Sequence, residues 1–95
     1  MKAYCYILFS KKLNRYYTGS TELSVDKRLR MHNEKYYGSK KFTAAANDWV
    51  VYLEIECVSI FKAREIEYFI KRMKNRRFIE SLKDPKRIEW LKDNF

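Results

Sequence analysis

Glycine and proline are scarce in this 95-residue sequence, which contains two glycines and one proline. Hydrophobic residues make up 46% of the chain and aromatic residues 17%, a composition typical of a folded globule rather than of a disordered tail. A chain of this length buries roughly 60–65% of the surface that its unfolded form exposes, too little for two separate cores. We therefore expect one domain over residues 1–95, with a site that is shallow or shared with a partner.

Long apolar runs and cysteine clusters are also missing. No apolar run approaches the roughly 20 residues of a membrane span, and the chain does not begin with the long apolar region of a signal peptide. Cys5 and Cys57 lie in strand-like runs, outside any CxxC or Cys/His cluster, which favours buried reduced thiols over a disulfide or a metal site. We expect a soluble cytoplasmic protein with no membrane partner.

Acidic residues are few relative to basic ones: 12 Asp and Glu stand against 21 Lys and Arg, a formal net charge of +9. The surplus concentrates in residues 71–77, with five cations in seven positions, and in a predicted loop over residues 32–48. A charged run is usually a solvated face, but this one is not balanced by local acids. We interpret it as a surface that binds a nucleic-acid backbone. Its candidate residues are Lys40, Lys41, Lys71, Lys74, Arg76 and Arg77.

Apolar residues in alternation predict three strands. Residues 4–9 and 15–19 are rich in β-branched and aromatic residues and flank a polar connection, which predicts a hairpin. Residues 49–58 predict a third strand that pairs with it. Its apolar residues alternate with glutamates from the middle onward, so we expect one side to hold Val51, Leu53, Ile55 and Cys57.

Capping residues predict the helices. Ser24 and Ser59 each precede a helical pattern, and Asp84 followed by Pro85 opens a terminal helix. Residues 75–82 continue the second helix or begin another. The second helix carries an apolar stripe of Ala63, Ile66, Phe69, Ile70 and Met73. Strands first and helices later predict an α+β fold, a small three-stranded antiparallel sheet flanked by helices.

A series of polar residues runs through these elements in a recognisable order. Residues 4–6 are Tyr-Cys-Tyr and residues 17–19 are Tyr-Thr-Gly, followed by Arg28 and His32 on one predicted helix and Glu67 on a later one. The series resembles the GIY-YIG nuclease family, most closely its small single-domain bacterial members, from about residue 4 to residue 82.

The first tripeptide departs from the family pattern at Tyr4 and Cys5, and the second at Thr18. The positions that carry the family's functional side chains are kept. They are Tyr6, Tyr17, Gly19, Arg28, His32 and Glu67. The resemblance implies that Gly19 lets the backbone approach the substrate, since a Cβ atom would crowd it.

The resemblance further implies metal-dependent hydrolysis of DNA phosphodiester bonds. Glu67 would hold one Mg²⁺ or Mn²⁺, and Arg28 would clamp the phosphate because its guanidinium presents two parallel donors. Tyr6 would act as the general base or position the attacking water. Tyr17 would hydrogen-bond the phosphate or that water, and His32 would relay a proton or bond Tyr6.

Each of these residues also has a purely structural explanation. Tyrosines pack well in strands, a helix histidine is often half-buried and bonded to a neighbour, and Glu67 precedes Lys71 at the spacing of a surface ion pair. Three functions therefore stay open. They are an endonuclease of low sequence specificity on duplex or branched DNA, a non-catalytic nucleic-acid-binding module of the same fold, and an adaptor whose basic face meets an acidic protein.

Overall fold

A computed structural model describes residues 2–34 and 42–95. Its three strands are β1 (Ala3–Ser10), β2 (Arg15–Thr21) and β3 (Val50–Cys57). They form one antiparallel sheet in the order β2-β1-β3. Its helices are α1 (Val25–Asn33), α2 (Ile60–Met73), α3 (Arg76–Ser81) and α4 (Pro85–Asn94), with a 3₁₀ turn at Phe42–Ala45. The predicted α+β fold is confirmed.

The helices begin at the residues that the capping pattern predicts. Ser24 Oγ accepts a hydrogen bond from the Lys27 amide and Ser59 Oγ one from the Lys62 amide, each at 3.2 Å. Asp84 caps α4 in the same way. These caps satisfy amides that a helix start leaves without an intrahelical partner.

The second helix ends at Met73 because Lys74 adopts the left-handed conformation, with φ at 46°. Asn75 then caps α3 through its side-chain oxygen. The chain thus begins a new helix rather than continuing α2, and the basic run of residues 71–77 spans two helices. Met73 lies in the last turn and is 42% exposed, so its expected place in the buried stripe is wrong.

The sheet carries a separate core on each face. The face that α2 covers, called the α2 face, carries the larger apolar core. Its buried residues are Ala3, Cys5, Ile7, Ile55, Cys57, Ala63, Ile66, Ile70, Leu82 and Leu91. The face that α1 covers, called the α1 face, has a smaller core of Tyr6, Leu8, Val25, Ala46 and Trp49.

A bulge in β3 changes which core its residues join. Ile7 pairs with Leu53 whereas Leu8 pairs with Val51, so Tyr52 is an extra residue. Leu53 packs against the α2-face core and Val51 against the α1-face core. The expectation that Val51 shares a side with the later apolar residues of the strand is wrong, because one inserted residue reverses the alternation.

The two cysteines are free and buried, as expected. Burial raises the pKa of the Cys5 thiol and of the Cys57 thiol above the usual range, because the thiolate would lose its hydration. Across the described residues, no helix has both the length and the apolar character to cross a membrane.

Candidate active site

Tyr6 and Gly19 lie opposite each other in the β1–β2 ladder. A Cβ atom added at Gly19 would lie 2.6 Å from Tyr6 Oη and 2.7 Å from Tyr6 Cζ. The phenol ring therefore occupies the space that a larger residue at position 19 would need. The resemblance led us to expect a close approach of substrate to Gly19, and the structure fills this space with a protein side chain.

A buried chain of hydrogen bonds begins at Tyr6. Its hydroxyl lies 3.0 Å from His32 Nε2, and both side chains are about 1% exposed. His32 Nδ1 lies 2.8 Å from Thr43 Oγ1, and the Thr43 carbonyl accepts a hydrogen bond of 2.8 Å from Trp49 Nε1. Because both ring nitrogens are engaged, the imidazole is held in one orientation.

Tyr17 completes an aromatic cluster on the α1 face. Its ring centroid lies 4.8 Å from that of His32 and 6.5 Å from that of Tyr6. Arg28 lies on α1 one turn before His32 and is half-buried. The structure thus brings Tyr6, Tyr17 and His32 into contact and places Arg28 on the same side of the helix as His32.

Glu67 belongs to the other face of the sheet. Ser20 Oγ donates a hydrogen bond of 2.5 Å to Glu67 Oε1, and Ser20 alternates with Gly19, so its side chain lies on the α2 face. Lys71 Nζ donates one of 2.6 Å to Glu67 Oε2, the ion pair that the spacing indicates. Lys71 Nζ also lies 5.7 Å from the Tyr17 ring centroid. The candidate site therefore extends around β2, an edge strand, with Lys71 between its two parts.

Glu67 supplies oxygen donors of the kind that Mg²⁺ prefers. Its side chain is 19% exposed and thus reachable from solvent. Within residues 2–34 and 42–95, no group of three or more His, Cys, Asp or Glu comes together that could hold a metal. Of the predicted site residues, Glu67 is the carboxylate that could hold a cation. Lys71 would release one carboxylate oxygen to it.

Arg76, expected to bind phosphate, contacts the hairpin turn. Its guanidinium donates hydrogen bonds of 3.0 Å to the Asn14 carbonyl and 2.7 Å to Asn14 Oδ1. Its Nε donates one of 3.2 Å to Glu80, and its plane lies over the Tyr16 ring at 5.2 Å. These contacts join the turn to α3.

The other predicted cations differ in position. Lys74 and Arg77 are exposed at the junction of α2 and α3. Lys40 and Lys41 lie outside the described residues. An open groove of about 430 Å³, called the β2–α2 groove, runs beside Tyr17 and is lined by Lys71, Lys74 and Arg76 among others. The groove brings three of the predicted cations next to a predicted site tyrosine.

Two residues of the site were missed by the sequence reasoning. Ser20 could have been found by alternation along β2, since it neighbours Gly19 and must face the opposite way. Thr43 carries no such signal, because its contact with His32 depends on how the chain returns from α1 to β3.

The hairpin carries Tyr6 and Tyr17, the next helix carries His32 and a later helix carries Glu67. This is the arrangement that the sequence resemblance led us to expect of a nuclease-type α+β domain. Residues 2–81 match the family model of the GIY-YIG catalytic domain. The chain belongs to the GIY-YIG family, and the resemblance seen in the sequence is confirmed. Searches of curated proteins and of solved structures found no match. Membership of a nuclease family implies a nucleic-acid substrate in general.

Proposed function

We propose that this protein is an endonuclease that hydrolyses DNA phosphodiester bonds with Mg²⁺ or Mn²⁺ and with little sequence preference. The observation that carries the proposal is the buried Tyr6–His32–Thr43 chain. His32 is held by Thr43 through Nδ1, and its Nε2 lies at hydrogen-bond distance from the Tyr6 hydroxyl. The Tyr6 hydroxyl therefore has a partner that can take its proton. Such an arrangement suits proton transfer, because general acid–base catalysis needs groups at hydrogen-bond distance.

The proton would move along this chain. If His32 Nδ1–H donates to Thr43 Oγ1, Nε2 is left to accept the phenol proton, and Tyr6 Oη can accept a proton from water. The water oxygen then forms a bond to phosphorus while the bond to the leaving oxygen breaks. Tyr17, packed on the His32 ring, would orient the water or the phosphate.

Charge on the phosphate would be stabilised from two sides. Arg28 stays charged at any working pH and would donate two parallel hydrogen bonds to phosphate oxygens. Glu67 would hold the divalent cation, which supplies positive charge to the phosphate when bound. Low sequence preference follows from the contacts proposed here, since Lys71, Lys74 and Arg77 would contact phosphates, which carry no base information.

A plasmid assay tests the proposal. We expect wild-type protein to nick supercoiled plasmid with Mg²⁺ or Mn²⁺ and to lose this activity in EDTA. Glu67→Gln should lower the nicking rate by about 100-fold or more, as loss of a group that stabilises transition-state charge does elsewhere. Glu65→Gln is the matched control, because Glu65 is an exposed carboxylate on the same helix. Full nicking activity in Glu67→Gln would contradict the metal role.

A non-catalytic binding module is the second candidate function. It is favoured by the full engagement of Glu67, whose two oxygens are bonded to Ser20 and Lys71, and by the burial of Tyr6. In that case plasmid would stay intact with every metal while DNA binding weakens with salt, at a log–log slope of about −0.9 per phosphate contacted. Negligible DNA binding at moderate salt would instead favour an adaptor for an acidic protein.

A further inference from the structure

The last helix, α4, lies outside the residues that match the family model. It packs onto the fold through Leu91, which is buried in the α2-face core, and through Ile88 and Phe95 at its margin. A surface made by α4 is therefore a feature of this chain rather than one that the family match supplies.

An open groove of about 590 Å³ lies between α2, α3 and α4 and is called the aromatic groove. The Phe69 ring lies 5.7 Å from Phe78 and 6.0 Å from Trp90, measured between ring centroids. Trp90 is 49% exposed, and Met73 beside it is also exposed. A half-exposed tryptophan supported by a second ring offers a flat surface on which a planar group can stack.

Cationic side chains border this stacking surface. Lys86 and Arg87, in the first turn of α4, line the groove. Asp84 lines it as well, and its Oδ1 accepts a hydrogen bond of 3.0 Å from the Lys86 amide as the cap of α4. Residues 71–95 carry nine Lys and Arg against four Asp and Glu, so the surrounding region is strongly positive. An anionic ligand with planar groups fits this combination.

The aromatic groove and the β2–α2 groove are lined by neighbouring residues of α2. Lys74 lines the β2–α2 groove and its neighbour Met73 lines the aromatic groove, so both grooves reach the end of α2. Arg77, exposed at the junction of α2 and α3, adds a cation there. A strand that leaves the candidate site along the β2–α2 groove would cross this junction to reach Trp90.

We propose that the aromatic groove binds unpaired nucleotides next to the cleavage point, with a base stacked on Trp90 and phosphates contacted by Lys86 and Arg87. The proposal rests on the proposed function for its nucleic-acid substrate. The groove fits single-stranded nucleic acid better than a duplex. A base must be unpaired to stack on Trp90, and every base has a flat face that can do so. A duplex would offer the groove phosphates alone.

Oligonucleotide binding tests the proposal without relying on cleavage. The probes are a 12-nucleotide dT strand, a 12-nucleotide U strand and a 12-base-pair DNA duplex, each fluorescently labelled. Fluorescence anisotropy in EDTA measures their binding to the protein. Trp90→Ala should weaken single-strand binding about tenfold, the scale of one lost base stack, and leave duplex binding nearly unchanged. Binding of either single strand in this pattern supports the proposal.

Two further variants guard against a folding artefact. Lys86→Ala with Arg87→Ala changes exposed residues only and should lower the single-strand log–log salt slope by about 1.4, at about 0.7 per phosphate. Phe61→Ala is the matched control, since Phe61 is a 71% exposed aromatic residue that does not line the groove, and it should bind as wild type does.

The outcomes separate this inference from the proposed function. Equal single-strand affinity in wild type and Trp90→Ala, with duplex binding retained, overturns the inference and leaves the endonuclease proposal standing. Absence of binding to every probe contradicts both. Concentration-dependent dimerisation that Trp90→Ala abolishes, with no effect on oligonucleotide affinity, would assign the groove to a second copy of the chain and overturn the inference.

Discussion

The two faces of the sheet differ in what they bury. The α2 face buries mostly apolar side chains, together with two thiols whose pKa burial raises and with Thr18, which lies opposite Ile7. The α1 face buries a phenol, an imidazole and the hydroxyl of Thr43 in one hydrogen-bonded chain. Apolar burial is favourable wherever it occurs, whereas a buried polar group costs free energy unless it is paired. The α2 face therefore contributes more to the free energy of unfolding. Part of that contribution offsets the cost of burying the candidate catalytic groups on the α1 face.

Glu67 is the exception that joins the two faces. It projects from the apolar helix α2, yet Ser20 and Lys71 hold it at the edge of the sheet where α1-face residues are near. A site that extends around an edge strand keeps the carboxylate proposed to bind a metal apart from the groups proposed to transfer a proton.

The largest effect on stability is expected on the α2 face. Ile66 is fully buried at the centre of its core, so Ile66→Ala should lower the free energy of unfolding by about 2–5 kcal/mol through lost burial and a cavity. Urea unfolding followed by circular dichroism measures this. Phe61→Ala on the exposed side of α2 should change the free energy by about 0.5 kcal/mol or less. Equal losses in the two variants would contradict the assignment of stability to this face.

The contact between Tyr6 and Gly19 gives the next largest effect. Gly19→Ala should cost about 2–3 kcal/mol, because the new methyl group meets a buried ring that cannot move freely. Part of the cost should disappear in a Tyr6→Phe background, since the hydroxyl oxygen is the nearest atom to the new group. A double-mutant cycle from urea unfolding measures the coupling. Strict additivity of the two substitutions would show that the hydroxyl oxygen does not contribute to the clash.

A smaller loss is expected from Thr43→Val on the α1 face. The substitution keeps the shape and removes the Oγ1 atom that pairs with His32 Nδ1, so a buried ring nitrogen loses its partner, at a cost of about 1–2 kcal/mol. Thr43→Ser keeps the hydroxyl and serves as the control. Chemical denaturation gives the stability, and NMR of the His32 ring nitrogens reports the tautomer. An unchanged tautomer population in Thr43→Val would show that Thr43 does not orient His32.

The smallest effect on stability is expected from Asp48, whose carboxylate is bonded to Ser10 at the end of β1 and whose contribution depends on pH. A hydrogen bond from Ser10 Oγ, then one from the Lys12 amide, hold the pKa of Asp48 below its usual value. A lowered carboxyl pKa stabilises the fold above the unfolded-state pKa of about 3.9, and this stability is lost as pH falls through the lower folded-state value.

Asp48→Asn should therefore be less stable than wild type by a constant amount between pH 5 and pH 8. The difference should shrink below about pH 4, where the wild-type carboxylate becomes protonated. Urea unfolding at a series of pH values checks this. A difference that grows in acid would have the wrong sign for a lowered pKa.

Local interactions made much of this fold predictable. Ser24, Ser59 and Asp84 cap helices through amides two or three residues away, so the sequence alone predicts where these helices begin. The bulge at Tyr52 could not be predicted, because register depends on the partner strand rather than on β3 itself. The left-handed turn at Lys74 was equally hidden, since glycine is the usual residue there.

The candidate site shows the same division. Tyr6 and His32 were expected to meet, and they do. The partners that hold them and Glu67 in place come from far along the chain: Thr43 is 11 residues from His32, and Ser20 is 47 residues from Glu67. A family pattern names the candidate catalytic side chains, but the residues that orient them depend on packing between distant segments.

The contact between Arg76 and Asn14 has a consequence for the order of folding. The two residues are 62 positions apart and join the hairpin turn to the start of α3. Contacts between distant segments form slowly, because the chain must first close a long loop. We expect the hairpin that bears Tyr6 and Tyr17 to form early and to stay loosely held until α3 docks. During synthesis, the hairpin would then be fixed in place only after α3 has left the ribosome.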